Sequence, residues 1–130
     1  MKNFIEDMKS EDTEYANMHI EDDILYCNYK KIDVLDIDAV KVGVQDRVKF
    51  SENVSYPCLF DIRLMGKVTK EARDYLANEG NDLVTASALV VGSSVLKIIA
   101  NFFITVNKPK NPTRMFTDKE SAIKWLQKFK

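Results

Sequence analysis

Residues 86–106, ASALVVGSSVLKIIANFFITV, limit the fold more than any other stretch of the chain. Ala86 to Val91 form an uninterrupted small and apolar run, the pattern of a strand buried on both faces. Gly92-Ser93-Ser94 then turns it straight into a helix. Strand, tight turn and helix together make the repeating unit of a layered α/β domain. The helix carries more apolar surface than such a layer needs. At about 100° per residue, Ser94, Lys97, Asn101, Thr105 and Lys108 share one stripe roughly 80° wide. Val95, Leu96, Ile98, Ile99, Phe102, Phe103, Ile104 and Val106 fill the remaining arc. Packing on one sheet face requires an apolar arc of only about 100° or a little more. Flanking helices cover the excess, or it forms a self-association patch, or it lines an apolar cavity.

The rest of the chain supplies neighbours for that unit. Residues 1–14 are acidic and without period, and read as an N-terminal arm or a short helix ahead of a single domain over residues 15–130. Ala16, Met18 and Ile20 alternate with polar neighbours, Glu21-Asp22-Asp23 turns, and Ile24 to Tyr29 answers as the second strand of a hairpin. Asp36 caps a helix whose Ile37, Val40, Val44 and Val48 recur at spacings of three and four. CLFDIR is a short central strand, Thr69 caps KEARDYLAN, and that helix stops at Gly80. Pro109 and Pro112 end the apolar helix. Met115-Phe116 make a minimal strand, and Thr117 with Glu120 forms a capping box for the last helix. The expected order is β-β-α-β-α-β-α-β-α, a mostly parallel sheet with an antiparallel hairpin at its start and about four helices.

Composition narrows the function classes. At 130 residues the chain forms one domain with a real core. Its formal net charge is −1, from 19 basic and 20 acidic side chains, so no global field attracts nucleic acid. The N-terminus lacks the apolar core of a signal peptide, and no apolar run reaches the length of a membrane span. Cys27 and Cys58 sit in strand-like segments and read as reduced, buried thiols; a disulfide would need both on one side of neighbouring strands. These features together suit a cytoplasmic protein.

DIRLMGKVTKEARDYL, ALVVGSS, IIANFF, NKPKNPTRMF and FTDKESAIKWL resemble a group of uncharacterised bacterial proteins related to SpoIIAA-like (STAS) domains, over roughly residues 15–129. The resemblance implies a SpoIIAA-like α/β fold and a regulatory binding module such as an anti-sigma factor antagonist or a transporter tail. The same broad fold is similar to that of lipid-transfer proteins that hold apolar ligands. In the antagonist branch a phosphorylatable serine follows an aspartate at the start of the helix after the central strand. Here that place is taken by Leu64-Met65-Gly66-Lys67-Val68-Thr69-Lys70, without an Asp-Ser pair, and Thr69 is the only nearby hydroxyl.

Few residues suggest chemistry. The lone histidine, His19, falls on the surface side of the hairpin, and no Cys-x-x-Cys accompanies it, so neither a zinc site nor a Ser-His-Asp triad assembles. Gly92-Ser93-Ser94 lacks the second glycine of a nucleophile elbow and the lysine of a phosphate loop; one of its serines caps the helix, or the turn holds an anion. Asp61, Arg63, Lys67 and Arg73 form a salt-bridged or partner-facing rim, and Lys108, Lys110 and Arg114 a basic loop. The expectation is a non-enzymatic regulatory or protein-interaction module without cofactor or metal. Its partner is a protein, another copy of the chain bound through helix 94–107, or a small apolar ligand beneath that helix. The candidate binding residues are Arg63, Lys67, Thr69, Ser93, Ser94, Phe102, Phe103, Asn107 and Arg114.

Overall fold

The computed structural model describes residues 9–130. In chain order the elements are β1 (Lys9–Asp12), β2 (Ala16–Glu21), β3 (Ile24–Tyr29), β4 (Ile32–Leu35), α1 (Ile37–Ser51), β5 (Tyr56–Asp61), β6 (Met65–Val68), α2 (Lys70–Ala77), β7 (Val84–Val90), α3 (Ser94–Phe102), β8 (Thr113–Phe116) and α4 (Lys119–Leu126). A six-stranded sheet has the order β1-β2-β3-β5-β7-β8, and β4 pairs with β6 in a separate two-stranded ladder. β1, β2 and β3 run antiparallel, while β3, β5, β7 and β8 are parallel neighbours. The turn between β2 and β3 puts both Asp22 and Asp23 at positive φ, 51° and 60°. Two such residues match the twist of a tight hairpin.

Each connection from β3 to β8 steps the same way across the sheet, and right-handed crossovers then leave their helices on one face. Accordingly Ala39 and Val40 of α1, Ala72 of α2, and Leu96 and Ala100 of α3 share one buried cluster. α4 follows the last strand and closes the opposite face, where Ala122 and Leu126 meet Leu59, Ala86, Ala88 and Val90. The small residues of β7 let α4 come close, and Phe116, Trp125 and Phe129 seal its margin. A third cluster, beneath the end of α1, holds Met18, Leu25, Cys27, Phe50 and Cys58. Both cysteines are free and buried.

The fold expected from the sequence is the fold observed, with four local corrections. Lys9–Asp12, inside the expected acidic arm, form the edge strand β1 against β2; residues 1–8 lie outside the described residues. β4 and β6 were not legible as strands because each is four residues long and pairs only with the other. The last helix is capped by Asp118, whose Oδ1 accepts from the Ser121 amide at 2.7 Å, and not by a Thr117–Glu120 box. His19 is half-buried, its ring stacked on Tyr26 at 4.3 Å. Burial pushes its imidazole below the ordinary range, Lys119 adding to the push against the opposing charge of Glu21. The caps expected at Asp36 and Thr69 are present: Asp36 Oδ1 accepts from the Ala39 amide and Thr69 Oγ1 from the Ala72 amide.

Candidate functional site

Helix α3 divides its apolar residues between two sides. Leu96 and Ala100 are buried, and Ile99 packs against the same cluster. The other side is uncovered: Val95 is 53% exposed, Ile98 71%, Phe102 44% and Val106 57%. Their spacing of three and four makes one continuous stripe. The flanking elements therefore do not hide the surplus apolar arc: β6 and β8 pack along the inner flank of α3, and α2 packs against the turn that follows it.

The helix does not end as an ordinary α-helix. Phe103–Asn107 form a π-helical turn, closed by a hydrogen bond from the Lys108 amide to the Phe103 carbonyl at 3.1 Å. The wider turn leaves Phe102 and Val106 outside and Phe103 inside. Its C-terminal end is fastened to α2 by two bonds. Asn107 Nδ2 donates to Asp74 Oδ1, and the Lys110 amide donates to the Ala77 carbonyl. Turns of this kind occur disproportionately at functional sites.

Beneath α3 and the π turn lies a cavity of about 90 Å³. Its walls are Leu76 from α2, Ser87 and Leu89 from β7, Ile99 and Ala100 from α3, and Phe103. Besides the hydroxyls of Tyr29, Ser87 and Thr113, two nitrogen-bearing side chains join the wall, Arg73 and Asn81. Arg73 Nη1 donates to the Val68 carbonyl at 2.7 Å and the guanidinium lies over the Phe102 ring, 5.2 Å from its centre. Its Nε is buried without an acceptor, and so is the amide nitrogen of Asn81, a residue only 8% exposed. Among the described residues no carboxylate forms an ion pair with Arg73.

The residues expected to bind a partner fall into separate groups. Phe102, Phe103 and Asn107 come together at the end of α3, against Arg73 and Asp74 of α2. Ser93 is the N-cap of α3, its Oγ accepting from the Leu96 amide at 3.1 Å, and Ser94 opens the helix at an exposed position. Thr69 is engaged as the cap of α2, while Lys67 is exposed on β6. Arg63 grips Asp61 with Nε and Nη2 at 3.0 and 2.7 Å, and its methylenes lie against Gly92. Burial raises the Asp61 carboxyl, but the hydrogen bonds and charge of Arg63, with Lys119 at 3.5 Å, outweigh it and hold the group below its ordinary range. Arg73 is not part of that rim. Arg114 stands on β8 with its guanidinium over Phe116.

Sequence reasoning missed Asn81, Leu76 and the inward side of β7. One signal was present: Ser87, the one hydroxyl in the small and apolar run 86–91, faces the cavity. Among the described residues, no three His, Cys, Asp or Glu side chains converge as metal ligands, and no helix is long and apolar enough to cross a membrane.

A family model described as "Domain of unknown function (DUF7793)" matches residues 18–130. Among solved structures, the chain is similar to an uncharacterized protein of the DUF3478 family with a SpoIIAA-like fold, from Shewanella loihica PV-4. The two superpose with a TM-score of 0.55 over 92% of this chain and 91% of that chain, at 11% sequence identity. At that identity the likeness shows the fold alone. No curated protein matches the sequence.

Proposed function

This chain belongs to the DUF7793 family of domains of unknown function, and from that footing we propose that it is a non-enzymatic interaction module docking through the outer side of α3, with a second copy of itself as the occupant. The observation that carries this reading is the uncovered stripe Val95-Ile98-Phe102-Val106. Stripes of this kind on a folded domain mark contact surfaces. The stripe holds no charged side chain, so two copies related by a twofold axis meet without burying charge. Lys97, Asn101 and Thr105 line one border and stay in water as a polar rim. Thr69 and Ser93 are both committed as helix caps, which supports constitutive docking over a switch at either hydroxyl.

Ile98 is the residue to test, since its 71% exposure means that substitution leaves the core intact. Phe103, an attractive choice from sequence, faces the cavity and would confuse docking with folding. Light scattering across concentration should show mass rising toward twice that of one chain for wild type and staying at one chain for Ile98→Asp, with unchanged circular dichroism. A wild-type mass that never leaves one chain would sink the proposal. A second role, holding a small apolar ligand beneath α3, is favoured by the cavity and is separate from docking.

A further inference from the structure

We propose that the cavity beneath α3 binds a small amphipathic carboxylate, of the medium-chain fatty acid class, with Arg73 holding the carboxylate, Leu76, Leu89, Ile99 and Phe103 lining the first part of the tail, and the rest of the tail running out through the cavity's open side. This rests on the ligand-holding role and not on docking through the stripe. The walls are apolar apart from a few groups, and an apolar cavity of this kind takes apolar matter in preference to water. Three buried polar side-chain atoms among the described residues lack partners: Asn107 Oδ1, an acceptor outside the lining, and two donors within it. Arg73 Nε and Asn81 Nδ2 are both buried and both lack an acceptor. A buried donor left unmade is costly, so the site is complete only with an acceptor supplied from outside.

The charge balance selects the acceptor. Among the described residues Arg73 carries the only full charge in the lining, and no Asp or Glu faces it there. A carboxylate brings two oxygens and one negative charge, which matches one guanidinium and one amide. A hydrocarbon would leave both donors unmet. A phosphate monoester would bring a second negative charge with no second cation to meet it. An ammonium compound would meet Arg73 with like charge and leave its Nε without an acceptor. The π turn places Phe103 over the tail and ties the roof to α2, the helix that carries Arg73.

The test is to titrate the full chain with sodium octanoate, 1-octanol and octylammonium chloride, following methyl NMR signals and heat. Octanoate should bind saturably and shift the methyls of Leu76, Leu89 and Ile99, while octylammonium should not bind. Arg73→Gln should weaken octanoate about tenfold or more and change 1-octanol by less than about twofold, the difference expected for losing one charge-assisted hydrogen bond. Comparing the three ligands on wild type needs no variant to fold. Should octanol bind and octanoate not, the carboxylate assignment fails and the apolar site survives. If none binds, or if octanoate shifts only Ile98 and Val106, the cavity is no ligand site. Ile98→Asp, which tests docking, should leave octanoate binding unchanged.

Discussion

Single residues in this protein act mostly by completing a neighbour's backbone. Arg47 is 2% exposed, yet its two Nη groups each donate at 2.9 Å, to the carbonyls of Asp82 and Gly80. A buried guanidinium thus holds the turn that leads from α2 to β7, using hydrogen bonds and no carboxylate. At the last helix the deciding residue is Asp118, because its side chain meets the Ser121 amide while Thr117 stands one position too early. Asp118→Ala should destabilise the fold by about 1 kcal/mol, and Thr117→Ala by much less. Urea denaturation of the two variants checks this; equal losses would return the cap to Thr117. The sequence pattern suggested the box because Thr and Glu at a spacing of three usually mark one. A cap is chosen by backbone position, and two adjacent candidates cannot be ranked from their types alone.

Among elements, the β4–β6 ladder shows how much depends on one missing side chain. β6 lies so close to β4 that a Cβ on Gly66 would strike the Asp33 carbonyl. Both strands must part to admit it. Gly66→Ala should therefore cost about 1–3 kcal/mol, the range for forcing atoms into a packed contact. It should also raise hydrogen exchange at Thr69, whose amide donates to the Leu35 carbonyl at 3.1 Å beside the ladder. A wild-type denaturation midpoint would show that the strands separate freely. α3 is the complementary case, an element whose character was plain and whose orientation was not. Its period marked too many apolar positions for one sheet face. Only the packing of β6 and β8 against α3, and of α2 against the π turn, decided that Ile99 and Phe103 turn in while Ile98 and Phe102 stay out.

At the scale of the whole fold, among the described residues, three helices on one face and one on the other enclose the central strands and with them both thiols. Burial pushes Cys27 up to about 12, with a further rise from Cys58, and burial likewise raises Cys58 to about 12. At pH 8 a thiol with that constant is ionised in roughly one molecule in ten thousand, and thiolate is the reacting form. Native protein should resist a thiol-disulfide reagent at pH 8, and both cysteines should react at the same rate, set by opening of the core. A fast reaction of either thiol without denaturant would overturn this. The sign with pH follows. The folded state favours the neutral thiol, so this contribution is intact below the ordinary value of 9.0. It is lost as pH rises from there through about 12, and denaturation midpoints should fall across that window.

The amino-acid sequence alone determined the fold class, most element positions and the caps at Asp36 and Thr69, because periodicity and capping are local and repeat over enough residues to be read. It also marked helix 94–107 as carrying surplus apolar surface. Tertiary structure alone decided where that surplus goes. The exposed stripe, the cavity behind it and the unpartnered donors of Arg73 and Asn81 arise where β7, α2 and α3 meet, from residues far apart in the chain. Burial is a property of neighbours, and no local pattern records which neighbours a side chain will have.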